Sequence, residues 1–149
     1  SAQGENKKAL KSVRETLEIF TKMKSQAEIS LSLVAISDLY LAEKEYDSCL
    51  HYLKSAEDII IEHKLGDPKI DLWIVQAQYE AEMNNHPKAL ELYTIAHELA
   101  TDYGMSQFMI ATIESMYKSA KASGKTVLAL NYLEQFKDLK LIYEIRRLY

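Results

Sequence analysis

Cysteine appears once, proline twice and glycine four times in 149 residues, and each scarcity removes a class of fold. The lone thiol, Cys49, forbids an internal disulfide framework and leaves no second cysteine to complete a zinc set. With so little glycine and proline the chain is neither collagen-like nor low-complexity. No run of about 18 apolar residues is present, so no membrane insertion is expected. The opening Ser1-Ala2-Gln3-Gly4-Glu5-Asn6 lacks the apolar core of a signal peptide. Residues 1–5 are expected to be disordered or an appended remnant, and the cytoplasm is the expected compartment.

A dense basic stripe is also missing. The formal net charge is −4, and it is unevenly spread. Residues 1–44 carry seven bases and six acids, residues 45–104 four bases and twelve acids, and residues 105–149 seven bases and four acids. A nucleic-acid platform needs clustered cations to neutralise phosphates, so no nucleic-acid partner is expected. Signatures of catalysis are equally sparse. His51, His63, His86 and His97 show no His-Glu-x-x-His spacing, and each reads as a surface or boundary residue. Gly124-Lys125-Thr126 is a fragment of a phosphate loop without its earlier glycine or a preceding strand. Carboxylate pairs such as Asp67 with Asp71, or Glu80 with Glu82, read as solvated helix acids. The expectation is a protein that is not an enzyme, with no metal and no cofactor.

What the chain does have is a period. Leu10, Leu50, Leu90 and Leu130 stand at one fixed interval, each behind a small residue: Ala9, Cys49, Ala89 and Ala129. Val13, Leu53, Tyr93 and Leu133 repeat as apolar positions, and Glu18, Asp58, Glu98 and Asp138 as acidic ones. The steps from Cys49 to Leu53, Ala56 and Ile60 follow one face of an amphipathic helix, with the small residue where a neighbouring helix comes close. A second helix precedes it in each period, marked by Leu33, Ile36 and Tyr40, by Trp73, Ala77 and Ala81, and by Ile113, Met116 and Ala120. Gly66-Asp67-Pro68, Tyr103-Gly104-Met105-Ser106 and Ala122-Ser123-Gly124-Lys125 supply stops and caps, with Asp67 and Ser106 as N-caps. The spacing predicts helices at about 6–24, 26–43, 46–64, 68–83, 86–102, 106–122 and 126–148. Cys49 sits where a small core residue is required, and Trp73 as a large buried one.

These hairpins resemble the tetratricopeptide repeat (TPR). Trp73 stands in its large-residue slot, Tyr40 in its tyrosine slot, and Ala89 with Tyr93 at its second-helix pair. The Leu-Gly pair is replaced by Ile36-Ser37, Gln76-Ala77 and Met116-Tyr117. The period also exceeds that of the standard repeat, as in extended repeats of bacterial signalling and regulatory proteins. The resemblance implies an all-α fold: a right-handed superhelical array of antiparallel helix hairpins, a TPR-like α-solenoid of seven helices and about 3.5 repeats, in one domain over 1–149. Units are expected at about 30–69, 70–109 and 110–149, after a half repeat at 6–25.

The same resemblance places a protein or peptide segment in the concave groove. Its lining would be Leu31, Val34, Asp38, Leu41 and Ala42, then Asp71, Ile74, Gln78, Ala81 and Glu82, then Ala111, Glu114, Lys118, Lys121 and Ala122. Asp38, Asp71, Gln78, Glu82, Glu114, Lys118 and Lys121 are the polar candidates, suited to a segment of mixed charge. The last helix carries Leu141, Ile142, Tyr143, Ile145 and Leu148 with no stop signal. Leu141, Ile145 and Leu148 are the expected contacts of a homodimer or of a following domain. A second reading therefore stands beside the first. In it the chain is a dimerising sensor segment of a bacterial signalling enzyme, a histidine kinase or nucleotide cyclase, with the last helix as transmitter.

Overall fold

The computed structural model describes residues 2–149; Ser1 lies outside the described residues. They form seven α-helices and no strand: α1 (Ala2–Met23), α2 (Gln26–Ala42), α3 (Tyr46–Glu62), α4 (Pro68–Glu82), α5 (His86–Asp102), α6 (Ser106–Ala122) and α7 (Thr126–Leu148). No helix among them is long and apolar enough to cross a membrane. Helix α1 begins at Ala2, ahead of its expected start, so residues 2–5 are helical instead of disordered.

Six of the helices end in one device. Lys24, Lys44, Lys64, Asn84, Gly104 and Gly124 all adopt positive φ, between 51° and 76°, at a constant interval of half the repeat period. In each case the amide of that residue bonds the carbonyl three residues back, and the next amide bonds the carbonyl five back, as in Lys44 to Leu41 and Glu45 to Tyr40. This is the Schellman stop, which satisfies carbonyls that the helix itself leaves open. The residue after the left-handed position then serves as N-cap of the next helix: Ser25, Glu45, Asn85, Met105 and Lys125. Ser106 is therefore the first helical residue and not the cap. The α3–α4 connection departs from the pattern. Its left-handed residue is Lys64, not Gly66, and the chain turns through Gly66 and Asp67 before Pro68 opens α4, which is shorter than its neighbours.

Two compact units result, Ser1–Val75 and Gln76–Tyr149. In the first, α2 packs against α1 and α3; in the second, α6 packs against α5 and α7. Helix α2 is buried on most sides through Ser30, Ser32, Leu33, Val34, Ile36, Ser37 and Leu41. The Ser30 and Ser37 hydroxyls donate to the carbonyls of Ala27 and Val34, which lets small polar residues enter the core without unpaired groups. Helix α3 buries Cys49, Leu53, Ala56 and Ile60, the expected stripe.

Small residues hold the core positions of the last three periods, and of the leucines behind them Leu90 alone is buried. Cys49, Ala89 and Ala129 are buried, whereas Leu50 and Leu130 are exposed. Close approach of a neighbouring helix requires a short side chain, and the following residue points about 100° away. Trp73 also differs from expectation, being half-buried. Its register partners Leu33 and Ile113 fill the same slot and are buried; an indole exceeds a socket of that size. The buried residues of α4 are Ile70, Leu72, Val75 and Ala77.

Candidate partner-binding surfaces

Position within the repeat decides which side chains reach solvent. Within the second unit, the end of α4 and the facing sides of α5 and α6 enclose a cleft of about 190 Å3. It is lined by Ala81, His86, Tyr93, Ser115, Lys118, Ser119 and Ala122. Alanines at 81 and 122 leave the space open. The floor is Tyr93, buried, with its hydroxyl hydrogen-bonded to Ser115. Burial raises the Tyr93 pKa and the Ser115 bond opposes the rise, so the phenol is neutral at ordinary pH. Lys118 stands exposed on the rim, its ammonium 3.3 Å from Glu114. The volume suits one side chain of a bound segment, with apolar walls and a polar floor to orient it.

Ala81, Lys118 and Ala122 were expected groove positions, and Glu114 reaches the rim through its ion pair. Lys121 is exposed, with its ammonium 6.0 Å from the Tyr117 ring centroid; Gln78 is half-buried and Glu82 exposed on α4. None of these three lines the cleft. His86, Tyr93, Ser115 and Ser119 do line it without having been assigned to the groove. The phenol of Tyr93 carried the usable signal, since a buried tyrosine needs a partner for its hydroxyl.

In the first unit Asp38 lies on α2 and Asp71 in the first turn of α4. Burial raises both carboxyl pKa values, opposed at Asp71 by a hydrogen bond from its own amide. No cation pairs with either among the described residues. Asp38 is exposed as a residue, so the half-buried Asp71 is the stronger case of a carboxylate held at a cost. Val34 and Leu41, expected on the groove, belong to the core.

Two further clefts flank α1. One of about 230 Å3 includes Asn6, Leu10, Leu39, Tyr40 and Glu43, and is crossed by an Asn6–Glu43 hydrogen bond of 2.7 Å. The other, of about 410 Å3, is largely apolar and includes Val13, Phe20, Leu31 and Ala35. Cys49 is fully buried; burial first, and then the Asp38 charge, push its pKa up to about 11. It is a protonated core thiol. Among the described residues no three His, Cys, Asp or Glu side chains cluster to hold a metal ion.

No protein-family model matches the chain, and no curated protein matches it. What the chain binds must be read from its surfaces.

Proposed function

We propose that this chain is a non-catalytic interaction module, a TPR-like array of hairpins whose inner surface takes an extended peptide or helical segment of a partner protein. The observation that carries the reading is the cleft formed by Ala81, Lys118 and Ala122 with Tyr93 at its base, because the tetratricopeptide resemblance implies groove positions at those three residues. Asp71 adds weight. A half-buried carboxylate without a cation costs stability, and a basic side chain of a partner would offset that cost. In the second unit the occupant presents an acidic or small polar residue to Lys118.

Selection of binders from a random peptide library, followed by fluorescence anisotropy, tests this. Ala122→Trp fills the cleft and should weaken selected peptides by about tenfold or more, the scale for blocking one anchoring pocket. Asp71→Lys combined with Glu82→Lys should weaken basic peptides more than a control exchange of the exposed α3 pair, Lys54→Glu with Asp58→Lys. Equal effects of the two exchanges, or binders indifferent to Ala122→Trp, would remove the groove as the binding face.

A further inference from the structure

Helix α7 presents two faces of opposite use. Leu128, Tyr132, Leu133, Phe136, Leu139 and Tyr143 are half-buried on the packed side, and Ala129 is the one buried residue of the helix. On the opposite side, at helical steps of three and four, Val127, Leu130, Glu134, Asp138, Leu141, Ile145 and Leu148 are all exposed, Val127 at 76% and Leu148 at 80%. Lys137 flanks this stripe at its middle. Apolar residues at 127 and 130 and at 141, 145 and 148 flank a charged middle at 134, 137 and 138.

We propose that this face binds a second copy of itself, antiparallel, about a two-fold axis between Lys137 and Asp138. An isologous contact requires a self-complementary surface in which residue i meets j and j meets i. With the axis there, Val127 faces Leu148 of the second copy and Leu130 faces Ile145, while Leu141 lies against Glu134. Lys137 of each copy meets Asp138 of the other, giving two symmetric ion pairs. A parallel, in-register pairing has the opposite electrostatics. It sets Lys137 against Lys137, Glu134 against Glu134 and Asp138 against Asp138, and like charges at such positions are destabilising and select against that orientation. Charge therefore selects the direction of the pairing. The contact spans about 33 Å of helix at 1.5 Å per residue, a single helix face, which suits a concentration-dependent dimer and not an obligate one. It uses none of the cleft residues and stands or falls apart from the groove.

The test combines solution mass and orientation on the full chain. Sedimentation equilibrium should show a monomer–dimer equilibrium, abolished by Leu141→Glu with Ile145→Glu while circular dichroism keeps its helical signal. Lys137→Asp alone and Asp138→Lys alone should each weaken the dimer by about tenfold, since two exposed pairs become repulsive; together they should restore it. For direction, Leu130→Cys and Ile145→Cys variants are oxidised separately and mixed; buried Cys49 is not a competitor. Covalent dimer formed mainly in the mixture supports the antiparallel arrangement. Crosslinking of each variant mainly with itself, failure of the double charge exchange to restore the dimer, or a monomer throughout the micromolar range would overturn it.

Discussion

Left-handed backbone at a side-chain-bearing residue is costly, and this chain accepts it four times, at Lys24, Lys44, Lys64 and Asn84. The turn geometry is imposed by the recurring stop, not by the residue occupying it. Lys44→Gly should therefore stabilise by about 0.5–1 kcal/mol, and Gly124→Ala should destabilise by about 1 kcal/mol, both read from urea midpoints. The second value is purely conformational, because a Cβ added at Gly124 meets nothing within 4 Å. A similar account applies to Asp71. A carboxyl pKa raised on folding contributes stability that is present below the unfolded value and lost as pH rises through the folded one. Asp71→Asn should thus be more stable than the parent at pH 7, with the gain shrinking as pH falls toward 4 in denaturant titrations. A partner that supplies a cation would reverse that order. Gly104 and Gly124 were legible as stops because glycine favours positive φ; the lysines were not, since nothing in a lysine distinguishes a turn from a solvated helix end. Only register, counted back from the glycines in half-period steps, would have revealed them.

Between neighbouring helices, fit decides what each position contributes. Ile70 is fully buried on α4 while Trp73, the larger residue, is half-buried. Ile70→Ala should cost about 2–5 kcal/mol and Trp73→Ala less than the roughly 3–5 kcal/mol of a fully buried aromatic, measured by chemical denaturation. A larger loss at Trp73 would contradict this packing. The α5–α6 seam holds a titratable link, His97 Nδ1 lying 2.8 Å from Thr112 Oγ1. Burial lowers the His97 pKa from its ordinary 6.5, with the Met109 carbonyl and Glu98 acting in the other direction. The unfolded ring takes a proton more readily than the folded one. Stability from this source is whole above about pH 6.5 and declines as pH falls through the folded value. Comparing parent and His97→Gln at pH 7 and pH 5 checks this, and the variant should show the smaller loss on acidification. The helices themselves were legible in hydrophobic periodicity, apart from the first residues of α1, whose polar composition gives no apolar step to follow. The seam contacts were not, because periodicity assigns a face without naming which side chain on the next helix it meets.

Helices packed on sequence neighbours give each unit a gradient of stability. Helix α2 is buried on most sides, while α1 has no buried residue and α7 has Ala129 alone. Local opening starts where the fewest apolar contacts must be broken. Amide hydrogen exchange followed by mass spectrometry should accordingly show α1 and α7 exchanging first, with α2 and α3 in one unit and α5 and α6 in the other exchanging last. The candidate cleft lies mainly on the protected pair α5 and α6, so its shape should persist without a ligand, which favours recognition by a preformed surface. The repeat period announced recurring hairpins, but the division of the chain within α4 was not foreseeable from it, because a strict period gives every boundary the same weight. The stripe on α7 lies on a helix that opens readily, and pairing with a second copy would protect it. Exchange in α7 should then slow as protein concentration rises, while exchange in α1 should not change. The same rate for α7 at all concentrations would mean that its outer face gains no cover from another copy.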